Sequence, residues 1–265
     1  MFKSLFLKTL YDKRWFFVGW SLGTVALLAL TAAFYPAIAD SIGDLLSSIP
    51  PALASIVGDS TAYNTYVGYI GSAVYGSRAE MIFVPLAIIL GLSLSVNEEL
   101  SGRMYQLLAQ PVSRAKIILQ KWLAGFWLIV AIMTITLIAM VVVSIAIAET
   151  VPYSELIKVS LMSGLFTFMV FSLTFGMGIA FGRRSIAIIV PVVWVMGSLL
   201  LDSFATQIDW LKAVDWLSVH QYYSTATLIK EPIAVEDVLV LSGISLASFM
   251  LAVALFQRRD IRETE

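Results

Sequence analysis

The sequence predicts an all-α protein that crosses a membrane six times. Of its 265 residues, 59% are hydrophobic and only 13% are charged, and the mean hydropathy of +0.89 is far above that of a soluble domain. A bilayer core about 30 Å thick requires about 20 apolar residues per helix. Six uncharged runs approach or exceed this length: 15–37, 81–95, 122–148, 159–181, 185–201 and 238–256. We therefore expect one transmembrane domain, 1–265.

Two of the six runs are shorter than a membrane-spanning helix. We extend them into their flanks, to 79–96 for the second span and to 185–203 for the fifth. Pro191 is expected to kink or break the fifth helix, because proline removes one backbone hydrogen bond and crowds the preceding turn. Gly178 and Gly182 lie four residues apart near the end of the fourth run, a spacing typical of close helix packing.

The basic residues predict the topology, since Lys and Arg collect in cytoplasmic segments. Thirteen of the 17 Lys and Arg residues share one side if the chain crosses six times: Lys3, Lys8, Lys13, Arg14, Arg103, Arg114, Lys116, Lys121, Arg183, Arg184, Arg258, Arg259 and Arg262. We expect a multi-pass protein of the cell membrane with both termini in the cytoplasm. The motif AIAD at 37–40 resembles a signal cleavage site, but cleavage would leave five spans. An uncleaved anchor is therefore expected.

Short helices are predicted outside the spans. Phe2, Leu5, Phe6 and Leu10 share one helical face, which indicates a cytoplasmic N-terminal interfacial helix. The alternative is a frayed basic end that only sets the orientation. The segments 38–79 and 202–237 are expected to form short outer re-entrant or surface helices, the first up to the break at Pro50 and Pro51.

Several chemistries are excluded or disfavoured by missing residues. The uncharged runs lack the acidic, basic or histidine side chains that ion-coupled transporters keep inside the membrane. No phosphate-binding GxxxxGK[ST] loop occurs, so the chain cannot hydrolyse ATP by that route. The absence of cysteine excludes disulfides and thiol catalysis. The basic residues are scattered in inner segments, a pattern that does not indicate nucleic-acid binding.

One enzymatic alternative comes from Glu98, Glu99 and Arg103, which match the E-E-x-x-x-R pattern of CAAX-type intramembrane proteases. Such a centre also requires histidines. The only histidine, His220, is expected on the opposite side of the membrane, within an interfacial aromatic cluster. We therefore expect no catalytic residue, metal site or cofactor site in this chain.

The polar segment, residues 97–121, joins the second and third spans. Leu100, Met104, Leu107 and Leu108 follow the spacing of a helical stripe, which predicts an amphipathic helix over 99–110. Pro111 should end it, and Ser113 should cap a second helix that enters the membrane. Such a unit fits either a groove on a partner protein or the lipid surface with solvated charges.

The sequence NEELSGRMYQLLAQPVSRAKIILQK resembles the signature of ABC-2 type permeases, the membrane subunits of one class of ABC transporter. The matching positions are Glu98 or Glu99, Ser101, Gly102, Leu107, Leu108, Pro111, Val112, Ser113, Arg114 and Lys121. Arg103 departs from the family, in which many members carry Thr. The resemblance extends to IPPALASIVG and WLSVHQYY in the outer segments and to FQRRDI near the end.

The resemblance implies a coupling helix that docks on a separate ATPase subunit, which would hold the ATP and Mg. The implied coupling residues are Glu98, Glu99, Ser101, Gly102, Arg103, Leu107, Leu108, Pro111, Ser113 and Arg114, with charge pairing at the rim and leucine burial in the groove. A second permease chain, identical or different, would complete the substrate path of an exporter. A passive channel or a membrane anchor that transports nothing is the remaining alternative.

Overall fold

The structure is a computed structural model that describes residues 4–37, 39, 65–109, 111–205 and 208–259. The described residues are 85% helical and include no strand, which confirms the all-α class. Six helices are long and apolar enough to cross a membrane, as predicted. They are named spans 1 to 6: Arg14–Ala37, Tyr66–Leu100, Arg114–Ala146, Tyr153–Phe181, Arg184–Ala205 and Val235–Arg258.

Shorter elements join the spans. The N-terminal helix, Leu5–Asp12, begins at Ser4, whose hydroxyl accepts a hydrogen bond from the Leu7 amide. Between spans 5 and 6 the chain forms short helical turns at Asp209–Lys212, Asp215–Leu217 and Thr225–Lys230. Their placement at the outer surface stays a prediction. The outer helix predicted before Pro50 and Pro51 lies outside the described residues.

Span 2 begins at Tyr66, well before residue 79. It comprises an α-helix Tyr66–Tyr69, a π-helix Ile70–Arg78, an α-helix Ala79–Leu94 and a last piece Val96–Leu100. The glycines within 66–78 are typical of a loop. In the structure, however, Tyr69 and Tyr75 of this stretch are almost fully buried. The Tyr69 hydroxyl donates to the Thr31 carbonyl at 2.9 Å, so side-chain packing stabilises a helix that the local sequence does not favour.

Span 4 occupies the centre of the bundle and packs against spans 2, 3, 5 and 6. In its most apolar stretch 72% of the residues are buried, against 22% in spans 1, 5 and 6. Small residues allow the close approach: a side chain at Gly176 would meet the Ser248 carbonyl oxygen of span 6 at 2.7 Å. Span 5 continues as one helix through Pro191, so the expected break does not occur, while the alternative of a kink stays a prediction.

The N-terminal helix, the polar segment and the ends of spans 4 and 6 gather at one end of the bundle. The Lys13 ammonium lies 3.4 Å from the Ser93 carbonyl oxygen near the end of span 2. The Arg259 guanidinium, just after span 6, donates to the Ile179 carbonyl of span 4 at 3.0 Å. These contacts bring together four parts of the chain that six crossings leave on the same side.

Candidate functional site at the polar segment

Because the helix of span 3 begins at Arg114, the polar segment in the structure is residues 97–114, and it contains two short helices where the sequence predicted one. Val96–Leu100 ends at Ser101, and Arg103–Leu108 begins after Gly102. Gly102 has φ of 72°, in the left-handed region that glycine adopts without a steric penalty. The prediction of a single helix over 99–110 is therefore wrong, because this glycine turns the chain between Leu100 and Met104.

The turn at Gly102 also divides the predicted leucine stripe. Met104 is fully buried, and Leu107 and Leu108 are partly buried against the core of the bundle. Leu100, by contrast, is 51% exposed. The four residues of the stripe therefore do not share one surface. Met104, Leu107 and Leu108 pack the second helix against the bundle, while Leu100 faces outward.

The corner after the second helix follows the sequence prediction. Pro111 and Ser113 are exposed, and the helix of span 3 begins at Arg114. The Ser113 hydroxyl accepts a hydrogen bond from the Lys116 amide at 3.4 Å, which confirms Ser113 as the N-cap. Ser101 and Arg103 are also exposed, and the Arg103 Nε donates to the Ser101 hydroxyl at 3.1 Å.

Glu98 points into the bundle, where its carboxylate forms an ion pair with the Lys121 ammonium. The side chain of Lys121 is 1% exposed and that of Glu98 is 14% exposed. Burial without a counter-charge is very costly for an ammonium group, so Lys121 depends on Glu98. Lys121 was not among the predicted coupling residues, although its match to the Lys of the ABC-2 signature was a signal for it.

Glu99 forms a second internal ion pair, with the Arg259 guanidinium. Arg259 also donates to the Ile179 carbonyl, and it lies directly over Gly182 at the end of span 4. Gly182 ends that helix with φ of 60°, and a β-carbon there would overlap the guanidinium. The spacing of Gly178 and Gly182 thus has two uses, since Gly178 packs against Ser95 and Gly182 accommodates Arg259.

Arg114 also turns inward. One guanidinium nitrogen donates to the carbonyls of Phe256 and Arg259, each at 3.1 Å, where span 6 ends. A cation at this position satisfies carbonyl groups left open by the helix end and opposes its dipole. Glu98, Glu99 and Arg114 therefore attach the polar segment to spans 3, 4 and 6 rather than lining its outer rim.

His220 lies at the opposite end of span 2 from Glu98. Its Nε2 atom is 3.1 Å from an oxygen of Glu80, which precedes Glu98 by 18 residues, or about 27 Å of helix. The His220 ring lies 5.8 Å from that of Phe166, and Phe166 stacks on Tyr223 at 4.6 Å. Burial raises the pKa of the Tyr223 phenol. The predicted aromatic environment of His220 is thus present.

Comparisons with known proteins agree with the resemblance of the polar segment. The family model described as "ABC-2 family transporter protein" matches residues 13–261. This match includes all six spans and the whole polar segment. A search of curated protein sequences gives no match. Within the described residues, no cluster of His, Cys, Asp and Glu is suited to hold a metal ion.

Proposed function

Because the chain belongs to the ABC-2 family of transporter proteins and is a membrane permease of an ABC transporter, we propose that a separate ATPase subunit drives it as an exporter. ATP and Mg would bind on that subunit. Export, rather than import, is part of this proposal and is supported by the family resemblance alone. In the proposed orientation the polar segment and both termini face the cytoplasm, in agreement with the distribution of Lys and Arg.

One observation carries this proposal. The polar segment is attached by ion pairs on its inner side, while its outer side presents Leu100, Arg103 and Pro111 to solvent. An exposed leucine beside a cation fits a groove with an apolar floor and an acidic rim. A segment with these two sides can receive a push from a partner and pass it to the helices beneath.

The ten predicted coupling residues take two roles in this proposal. Some shape and anchor the segment: Glu98, Glu99, Gly102, Leu107, Leu108 and Arg114. The others would contact the ATPase: Ser101, Arg103, Pro111 and Ser113. Leu100 joins the second group, because the turn at Gly102 exposes it. The leucine burial expected in the partner's groove is thus reassigned from Leu107 and Leu108 to Leu100.

The internal ion pairs supply the route for movement. Displacement of the segment would act on span 3 through Glu98 and Lys121, and on spans 4 and 6 through Glu99 and Arg259. A shift in these spans would change the exposure of a substrate path, as in any two-state element biased by a ligand. Because span 4 fills the centre of the bundle, we place that path between two permease chains.

The test is assembly with the cognate ATPase subunit. Leu100→Asp combined with Arg103→Glu should prevent co-purification, because it puts acidic groups on the docking surface. The permease should keep its thermal stability, since both side chains are exposed. Lys116→Glu, an exposed charge reversal on the same side, is the control and should assemble normally. Normal assembly of the double variant, with normal stimulation of ATP hydrolysis, would overturn the proposal.

A further inference from the structure

A pocket of about 170 Å³ separates the N-terminal helix from the polar segment. The N-terminal side contributes Lys8, Asp12 and Lys13, and the polar segment contributes Glu98 and Arg103. This pocket shares Arg103 with the surface proposed for ATPase docking. The ion pairs and hydrogen bonds of the coupling residues leave the volume of this pocket empty.

The charges around the pocket favour an anion. Glu98 is neutralised by Lys121, which leaves the cations of Lys8, Lys13 and Arg103 against the single carboxylate of Asp12. Among the described residues, Lys13 forms no ion pair, and its one hydrogen bond is the long contact to the Ser93 carbonyl. Burial lowers the pKa of the Lys13 ammonium; the carboxylates of Glu98 and Asp12 oppose this shift in part, and the cations of Arg103 and Lys121 add to it. A partly buried cation of this kind gains most from a bound anion.

The position of the pocket identifies the source of that anion. Lys13 immediately precedes span 1, and Glu98 lies at the end of span 2, so the pocket is at the level where the spans leave the membrane. Leu7 and Tyr11 of the N-terminal helix and Trp15 of span 1 are exposed apolar side chains, typical of a helix that lies in the lipid interface. Lipid phosphate groups occupy this level of a bilayer.

We propose that this pocket binds the phosphate of an anionic phospholipid, held by Lys8, Lys13 and Arg103. The lipid would connect the N-terminal helix to the polar segment. If the proposed function holds, this connection makes the position of the coupling surface depend on the lipid. Binding itself requires only the permease and can therefore be tested without the ATPase.

The experiment measures lipid binding to the purified, delipidated permease in a neutral detergent. Dioleoyl phosphatidylglycerol, dioleoyl phosphatidylcholine and inorganic phosphate are added separately, and the shift in Tm is followed with concentration. We expect phosphatidylglycerol to raise the Tm at the lowest concentration, because its net charge complements the pocket. Lys8→Gln, Lys13→Gln and Arg103→Gln combined should weaken this binding about tenfold or more.

The control removes the same number of charges from the same end of the bundle. Lys116→Gln, Arg183→Gln and Arg184→Gln change exposed cations outside the pocket and should leave the binding curve unchanged. Lys8→Gln alone is the second variant, since Lys8 is exposed and its change should not affect folding; it should weaken binding several-fold.

The outcomes distinguish a lipid phosphate from a soluble phosphate as the bound anion. Equal binding by the wild type and the pocket variants, or equal loss in the control, would overturn the site. A response to inorganic phosphate without one to phosphatidylglycerol would overturn the lipid and assign a soluble phosphate ligand to the same cations. Equal responses to phosphatidylglycerol and phosphatidylcholine would overturn selection by net charge. None of these results depends on ATPase docking, so failure here leaves the coupling proposal intact.

Discussion

The Glu99 carboxylate of the polar segment is paired with the Arg259 guanidinium, which lies 160 positions later along the chain. Both side chains are largely shielded, with exposures of 10% and 23%. A buried ion pair adds little net stability, but the loss of one partner leaves an uncompensated charge. The pair is therefore best understood as a positional constraint that connects the polar segment to the end of span 6.

Arg259→Gln should destabilise the permease by about 3 kcal/mol, because Glu99 would remain buried without its counter-ion. The measurement is reversible unfolding in detergent or lipid. Glu99→Gln with Arg259→Gln should restore part of the loss, as a double-mutant cycle for two residues in contact predicts. Simple addition of the two single effects would show that the pair is not coupled.

Lys121→Met should cost a similar amount, about 3 kcal/mol, since it leaves the shielded Glu98 carboxylate unpaired. Adding Glu98→Gln removes that charge and should recover most of the stability, because methionine fills the space of the buried lysine stem. Thermal unfolding of the four proteins of the cycle is the measurement. A double variant no more stable than Lys121→Met would contradict the assigned pair.

Gly182→Ala should destabilise the protein by at least 1 to 2 kcal/mol, because alanine is strained at φ of 60° and its methyl group would displace Arg259. Gly197→Ala is the matched control in span 5, where no atom outside the helix lies within 4 Å of the added carbon. That control should be neutral or slightly stabilising. Equal unfolding temperatures for the two variants would contradict this reading of Gly182.

Gly102→Ala isolates the turn in the polar segment, because nothing lies within 4 Å of the added carbon and only the positive φ is penalised. We expect the free energy of unfolding to fall by about 1 kcal/mol and the stimulation of ATP hydrolysis to be lost, since Leu100 would leave the proposed docking surface. Gly102→Asn should retain more activity, because asparagine tolerates the left-handed conformation. Full stimulation by Gly102→Ala would indicate that the turn is unnecessary for coupling.

Lys13→Gln should have opposite effects on stability and on lipid binding. Burial lowers the pKa of Lys13 in the folded state, so folding is penalised at every pH where the unfolded lysine is protonated, and stability rises as the pH passes through the lowered pKa. The variant should therefore be more stable than the wild type in lipid-free detergent at pH 7, and this difference should shrink as the pH rises from the lowered pKa of Lys13 to 10.5, the value of an unperturbed lysine. Its affinity for phosphatidylglycerol should fall.

The six spans were predictable because a bilayer requires a long apolar helix for each crossing. Whether a segment satisfies this requirement depends only on its own residues. The N-cap at Ser113 was predictable for the same reason, since its hydrogen bond joins residues three apart. The start of span 2 was missed because 66–78 is helical only through burial of residues such as Tyr69 and Tyr75 against distant partners. The division of the polar segment was missed because Gly102 is compatible with either conformation.

The sequence by itself determined the helical class, the number of spans and the position of the polar segment between spans 2 and 3. Only the tertiary structure decided that Glu98, Glu99 and Arg114 face inward and that Leu100 and Arg103 remain outside. Hydrophobic runs and caps depend on neighbours along the chain, whereas an ion pair depends on which distant charges the packing brings together. Lys121 and Arg259, 23 and 160 positions from Glu98 and Glu99, became visible as the partners of these carboxylates only once the helices were packed.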